Sequence, residues 1–265
     1  NAGIENVAFE ASSHGLFQRR LGDVKVKSAA FTSFSQDHLE YHQTMDGYLQ
    51  AKLILFTENL IDGEEAVINS EIMFFDFIRS FLLEKNIPFC TVGNNGDVKI
   101  KRNKQSLEGQ SICLEYKGKK YEFETNIIGS FQAINLLIAA KLVSNLGVEF
   151  DQIIEKLPEI EAVPGRLQRI TSAENEYQVF VDYAHTPDAL EKSLQELKKL
   201  KKKPGNLYVV FGCGGDRDTL KRPIMGKIAS EIARPVTEMN KMTIVATGQG
   251  DIGFKRVTKE IMQIM

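Results

Sequence analysis

The sequence is poor in the features that mark secreted, membrane-spanning and nucleic-acid-binding chains. It has three cysteines in 265 residues, and their scattered positions exclude a disulfide framework or a zinc site built from close cysteine pairs. No apolar run approaches the ~20 residues that cross a bilayer, and the first residues lack the basic and apolar stretches of a secretory signal. The net charge of −2 provides no broad field for nucleic acid or an anionic membrane. We therefore expect a cytoplasmic chain with reduced thiols. As a separate expectation, we take it to be a monomer.

Short β-type runs alternate with segments of helical periodicity, which predicts an α/β fold with parallel sheets flanked by helices. The runs are NVAFEA (6–11), AAFTSF (29–34), QVFVDYA (178–184), NLYVVF (206–211) and MTIVAT (242–247). Helices are predicted at 44–60, at 130–147 between a Ser130 cap and a Gly147 stop, and at 186–205 with Thr186 as cap. The turns within 94–125 predict a small antiparallel insertion in the first sheet.

The prolines in LPEIEAVPGRL (157–167) separate the two groups of strands. This stretch places a domain boundary near Pro164. We therefore expect two α/β units, residues 1–164 and 165–265.

Polar side chains concentrate just after the predicted strands, where open parallel sheets form their ligand crevice. Glu10 comes directly after NVAF of the first run, His38 follows the second run, and Asp182 and His185 come after VFV of the third. A carboxylate and an imidazole together suit Mg²⁺ or Mn²⁺ when phosphate oxygens and water complete the shell.

Lys52 interrupts the apolar face of the predicted helix at 44–60. Burial of the ammonium lowers a lysine pKa, and a neutral amine reacts with carbon dioxide to give a carbamate that ligates metals as a carboxylate does. The alternative is a side chain that extends its charged end to solvent.

Six motifs, in this order, resemble those of the Mur ligases between positions of about 7 and 233. They are EASSHGLFQRR, FTSFSQDHLEYHQTMDGYLQAKLILF, GSFQAINLL, PGRLQRI, VDYAHTPDALEKSL and VVFGCGGDRDTLKRPIMGKIA. The resemblance implies a partial central ATPase domain over 1–164 and a Rossmann-like C-terminal domain over 165–265. It implies an ATP- and Mg²⁺-dependent amide ligase of peptidoglycan synthesis, which adds a diamino acid, meso-diaminopimelate or L-lysine, to UDP-MurNAc-L-Ala-D-Glu through an acyl phosphate.

The resemblance also implies a role for individual residues. Glu10 and His38 fall on the family's magnesium positions, and Lys52 falls on its carbamylated lysine, so these three form the implied catalytic centre. The remaining matches fall on family positions that contact substrates. The UDP-MurNAc-dipeptide is contacted by Ser12, Gln18 and Arg20, and the incoming amino acid is contacted by Arg217. The ATP is contacted by Asn135, Arg166, Asp182 and His185.

The sequence also departs from the family pattern. It lacks the G-T-N-G-K-T phosphate loop, the uridine-binding domain and the D-N-P-R motif, and it differs at Ser33, Gln36 and Gln132. We therefore expect a piece of a longer ligase that has negligible ligase activity alone. Two alternatives stay open: a non-catalytic binding module, and a ligase of the folylpolyglutamate synthase type. The SSHGL and DYAHTPDAL motifs argue against the second.

Overall fold

The computed structural model describes residues 3–171, 177–201, 205–212 and 221–233, and the backbone of 242–247. Its first sheet has six strands that neighbour one another in chain order. They are β1 (Ala29–Phe31), β2 (Ala66–Asn69), β3 (Phe89–Gly93), β4 (Val98–Gln105), β5 (Gln110–Tyr116) and β6 (Lys119–Thr125). Strands β1 to β4 pair in parallel, and β4, β5 and β6 pair antiparallel. The predicted antiparallel insertion is therefore the far half of one continuous sheet.

Helices cover both faces of this sheet. They are α1 (Ser13–Phe17), α2 (Leu39–His42), α3 (Met45–Ile54), α4 (Phe75–Glu84), α5 (Ser130–Ser144) and α6 (Phe150–Lys156). Side chains alternate along a strand, so Val67 of β2 packs in the core beneath α5, whereas Ala66 and Ile68 pack in the core that includes α3 and α4. A π-helical turn at Leu55–Asn59 ends α3.

The second sheet contains β7 (Gln168–Arg169), β8 (Gln178–Asp182), β9 (Asn206–Phe211) and β10 (Met242–Thr247) in the order β7-β8-β10-β9. Strand β10 is parallel to both of its neighbours, and the edge strand β7 is antiparallel. Helices α7 (Pro187–Leu200) and α8 (Lys221–Ile232) accompany this sheet. Leu107 and Ile128 of the first unit are buried in the same core as Phe180 and Leu190 of the second. The predicted α/β class is confirmed.

Two local predictions are wrong. Residues 6–11 form no strand, because an extended segment is stable only when another strand pairs with its backbone, and no described strand pairs with it. Ser130 is the first residue of α5 rather than its cap; the cap position belongs to Gly129 at φ 103°. Thr186, in contrast, caps α7 as predicted through its side chain and the N–H of Ala189.

In the part of the chain that the structure describes, no helix is both long enough and apolar enough to cross a membrane.

Candidate active site

Asp37 and His38 lie in the loop that leaves the carboxyl end of β1. His38 adopts left-handed backbone geometry at φ 57° and begins α2, a conformation that costs energy for a residue other than glycine. One oxygen of Asp37, Oδ1, accepts the His38 backbone N–H at 3.0 Å. The other, Oδ2, lies 3.5 Å from His38 Nε2 and 3.9 Å from Nε2 of His185. The carboxylate of Asp37 therefore lies between an imidazole of the first unit and one of the second.

The orientation of His185 is fixed by a backbone carbonyl. Its Nδ1 lies 3.0 Å from the oxygen of Tyr183, and because a carbonyl can only accept, Nδ1 carries the hydrogen. The other ring nitrogen, Nε2, is then the one that faces Asp37. This arrangement positions one nitrogen of His185 at the junction between the two units.

Lys52 projects from α3 toward the same region. Its Nζ lies 5.2 Å from the centre of the Tyr48 ring and 5.8 Å from that of Phe31. Burial lowers the pKa of Lys52, and the carboxylates of Glu10 and Asp37 oppose that shift. Among the described residues no carboxylate oxygen lies within 4.0 Å of Nζ. The lysine is thus partly desolvated without a close anion, the condition in which a neutral amine forms most readily.

The structure brings the three predicted metal ligands into one neighbourhood. Glu10 is exposed on the extended segment before α1, yet its charge acts on both Lys52 and Tyr48. Burial, followed by the charges of Asp37 and Glu10, raises the pKa of Tyr48 to about 12. The described residues contain no group of three His, Cys, Asp or Glu side chains placed to hold a metal. A cation here therefore needs ligands beyond Glu10 and His38. A carbamate on Lys52 and phosphate oxygens would supply them.

The residues predicted to hold the UDP-MurNAc-dipeptide form an exposed group next to this region. Ser12 caps α1 by accepting the Gly15 N–H at 3.1 Å. Gln18 donates from Nε2 to the Tyr41 hydroxyl at 2.8 Å, and its Oε1 accepts Arg20 Nε at 2.9 Å. Arg20 thus has a fixed neighbour while its side chain stays accessible.

A histidine cluster joins the two groups, and the sequence analysis gave it no role. The ring of His14 lies 4.7 Å from that of His38 and 5.3 Å from that of His42, measured between centroids. His42 is buried and its Nε2 lies 3.0 Å from the hydroxyl of Ser13. Burial lowers the pKa of both His14 and His42, and the neighbouring histidines add to the shift. The four-residue spacing of His38 and His42, one helical turn, was the available signal.

Three of the four predicted ATP residues lie along one seam between the units. Asn135 Nδ2 donates to Gln132 Oε1 at 2.9 Å, and Gln132 Nε2 donates to the Arg166 carbonyl at 3.4 Å. The guanidinium of Arg166 lies over the Tyr183 ring at 5.3 Å, and that ring contacts His185 at 5.2 Å. The predicted nucleotide residues are therefore continuous with the Asp37 junction.

Asp182, the fourth, has a different environment. Its Oδ2 accepts the Leu167 N–H at 2.7 Å, and Oδ1 accepts the Ala184 N–H at 2.8 Å and the Ser193 hydroxyl at 3.2 Å. Only 6% of the residue is exposed, and burial raises its pKa against the effect of these hydrogen bonds. In this structure Asp182 ties β8 to the segment that carries Arg166. Arg217 lies outside the described residues.

Comparisons with known proteins bear on both units. A family model for the Mur ligase middle domain matches residues 1–143, and one for the Mur ligase, glutamate ligase domain matches 165–249. A relative from Rickettsia bellii (strain RML369-C) is 53% identical over 231 residues, which cover 87% of this chain and 48% of the relative. One from Zymomonas mobilis is 42% identical over 233 residues, 88% of this chain and 48% of the relative. Both are named UDP-N-acetylmuramoyl-L-alanyl-D-glutamate--2,6-diaminopimelate ligase. The chain spans about half the length of these relatives.

Solved structures share the fold. A structure of a ligase with that same name superposes with a TM-score of 0.63 at 29% identity, over 91% of this chain and 58% of the other. The Thermotoga maritima MurF ligase, solved in complex with ADP, gives a TM-score of 0.72 at 14% identity, over 94% and 64%; at that identity the likeness concerns the fold alone. The middle-domain model by itself matches more than half of the residues of this chain, and the chain therefore belongs to the Mur ligase family.

Proposed function

We propose that residues 1–164 and 165–265 are the central and C-terminal domains of an ATP-dependent ligase that joins 2,6-diaminopimelate to UDP-MurNAc-L-Ala-D-Glu. The names of the relatives that align over 87% of the chain support this substrate pair. They favour diaminopimelate over L-lysine, a choice that the missing D-N-P-R motif left open in the sequence.

One observation carries the proposal. Lys52, Glu10 and His38 share one neighbourhood of the first unit, where Asp37 Oδ2 lies 3.5 Å from His38 Nε2 and 3.9 Å from Nε2 of His185 in the second unit. A ligase of this kind must hold an anionic nucleotide against an anionic acceptor. A seam that places nitrogen-bearing side chains of two units on either side of one carboxylate can bind such anions when those side chains are protonated.

The reaction balances in two steps. In the first, an oxygen of the D-Glu carboxylate attacks the γ-phosphorus of ATP; the new O–P bond forms as the bond to ADP breaks, which leaves an acyl phosphate. In the second, the amine of diaminopimelate attacks the acyl carbon, the C–N bond forms, phosphate leaves with the electrons of the C–O bond, and the amine proton passes to solvent or a base. Such chemistry asks the protein mainly for positioning and charge neutralisation.

Each group of residues has a part in that positioning. Ser12, Gln18 and Arg20 hold the UDP-MurNAc-dipeptide, and Arg217 holds the carboxylate of diaminopimelate. On the other side of the seam, Asn135, Arg166 and His185 hold the nucleotide, and Asp182 supports them by accepting the Leu167 N–H in the segment that carries Arg166. Glu10, His38 and a carbamate on Lys52 would hold Mg²⁺, which would neutralise phosphate charge.

A chimera tests the proposal. The aligned 231 residues of this chain replace their counterparts in the Rickettsia bellii relative, and the purified chimera receives ATP, Mg²⁺, UDP-MurNAc-L-Ala-D-Glu and diaminopimelate. We expect mass spectrometry to detect UDP-MurNAc-tripeptide together with one ADP for each product. Lys52→Arg keeps a cation but cannot be carbamylated in the same way, and we expect it to lower kcat by about a hundredfold.

Gln50→Ala, an exposed position on the same helix, is the matched control and is expected to leave turnover unchanged. A folded chimera that binds the UDP-MurNAc-dipeptide but forms no product, while the parent relative is active, would support the binding-module alternative. A chimera that accepts a folate and glutamate instead would support the folylpolyglutamate synthase alternative.

A further inference from the structure

Glu196 is a buried carboxylate of the second unit that bonds to the first. It belongs to α7, and only 5% of the residue is exposed. Its Oε2 accepts the backbone N–H of Ser130 at 2.9 Å, and its Oε1 accepts Lys199 Nζ at 2.7 Å. None of the chemistry proposed above uses this side chain.

The N–H that Glu196 binds is the first of helix α5. The cap residue of that helix, Gly129, has no side chain to offer, so the helix lacks a cap of its own. A carboxylate at a helix N-terminus satisfies a free N–H and complements the helix dipole. The second unit thus supplies the cap that the sequence of α5 omits.

The capped turn lies next to Asn135, which the family resemblance assigns to ATP. Gln132, two residues after Ser130, donates to the carbonyl of Arg166, and it accepts a hydrogen bond from Asn135. Gly129 is also confined: a side chain there would lie 3.2 Å from Leu167 and from Phe131 at a φ of 103°. The first turn of α5 is therefore held by Glu196, Arg166 and Leu167, all of which come after Pro164.

We propose that Glu196 is a positioning residue for the nucleotide: by capping α5 from the second unit, it sets the orientation of Gln132 and Asn135 toward bound nucleotide. The inference rests on the proposed function, because it takes Asn135 and Arg166 as nucleotide contacts. The motif residues alone do not predict this role. It requires that α7 of the second unit caps the helix on the nucleotide side of the first unit.

The test uses the chimera described above; it measures ADP affinity by titration calorimetry, and amide hydrogen exchange over residues 130–135. Glu196→Ala removes the cap, and we expect it to weaken ADP binding about tenfold and to speed exchange in that turn. Glu196→Gln keeps an acceptor for the Ser130 N–H and is expected to restore most of the affinity. Glu191→Gln is the control: Glu191 is exposed on the same helix and accepts only from Gln195 nearby, at 2.9 Å.

A second variant separates positioning from general stability. Ser130→Pro deletes the donor at a helix position where proline is tolerated. If the contact matters through that one hydrogen bond, Glu196→Ala has no further effect on ADP affinity in the Ser130→Pro background. Faster exchange without any loss of ADP affinity would overturn the inference, as would additive effects of the two changes.

The outcome also separates this inference from the proposed function. If the chimera and all its variants fail to bind ADP while the parent relative binds it, the nucleotide site itself is wrong and both ideas fall. If the chimera binds ADP and its Glu196→Ala variant binds it equally well, only the role of Glu196 falls.

Discussion

Two lysines interrupt apolar helices at opposite ends of the first sheet, and they have opposite surroundings. Lys141 of α5 lies near the amino ends of β1 and β2, with 6% of its side chain exposed; its Nζ bonds to Glu65 Oε2 and Asn145 Oδ1. Asn145 in turn donates to the Ser28 hydroxyl at 2.9 Å. Lys52 lies near the carboxyl end of β1 against two aromatic rings, with no carboxylate of the described residues within 4.0 Å.

The difference separates a structural lysine from a reactive one. A buried ammonium is costly unless hydrogen bonds and a counter-charge replace its water. Lys141 has both and connects α5 to the residues just before two strands. Among the described residues Lys52 has no side-chain hydrogen bond and no carboxylate within 4.0 Å, and the more distant charges of Glu10 and Asp37 compensate its burial only in part. Such incomplete compensation is typical of residues kept for chemistry rather than for stability.

The largest expected effect is on Lys141. Lys141→Met leaves Glu65 and Asn145 without their shared partner, and we expect it to lower the free energy of unfolding by about 3 kcal/mol. The estimate takes the low end for a broken buried pair because 35% of the Glu65 side chain is exposed. Urea denaturation measures it.

Lys156→Met is the matched control, since Lys156 pairs with Glu159 at 2.8 Å on an exposed surface, where such a pair contributes little. Equal losses of unfolding free energy in the two variants would mean that the Lys141 network stabilises the fold no more than a surface pair does. Lys141 would then not be a structural lysine.

The next effect concerns Glu196, the buried anion that, like Lys141, has partners. Its hydrogen bonds from Lys199, Ser130 and Gln105 outweigh burial and lower its pKa below the ordinary 4.5. A carboxyl whose pKa is lower in the folded state stabilises the fold above its unfolded pKa, and this contribution is lost as the pH falls below 4.5 through the folded value. We expect Glu196→Gln to cost about 1.5 kcal/mol at neutral pH and less at acidic pH.

Denaturation at a series of pH values measures how the cost of Glu196→Gln changes, and the same series on Glu191→Gln is the control. A cost of Glu196→Gln that stays constant as the solution is acidified would show that the charge of Glu196 contributes nothing to the contact.

Much of the fold followed from pattern. Strands β8, β9 and β10, helix α7 with its Thr186 cap, and the antiparallel strands β4 to β6 each lie where alternation, turns and capping residues indicated. These elements are specified locally. Residues 6–11 have the same strand-like alternation, but a strand also requires a pairing partner, and no local pattern reports whether one is present.

The site divides in the same way. The family motifs indicated Glu10, His38 and Lys52, and the residues do share a neighbourhood. Nothing in the spacing distinguished Lys52 from Lys141, because both interrupt an apolar helix, and their different partners come from segments far away in the chain. The junction of Asp37 with His185 and the cap from Glu196 to Ser130 are likewise contacts between distant segments.

The smallest expected effect is on Lys52, and it has the opposite sign to that on Lys141. Lys52→Met removes a charge whose burial is not repaid by a close partner, so we expect the free energy of unfolding in CO₂-free buffer to stay the same or rise by about 1 kcal/mol. Because burial lowers the pKa of Lys52 below 10.5, the unfolded chain binds more protons than the folded one between the folded pKa and 10.5. The unmodified protein therefore gains stability as the pH rises through that window, and its difference from Lys52→Met shrinks. A loss of stability in Lys52→Met as large as that in Lys141→Met would mean that Lys52 holds the fold together, and its role as a reactive amine would lose its physical basis.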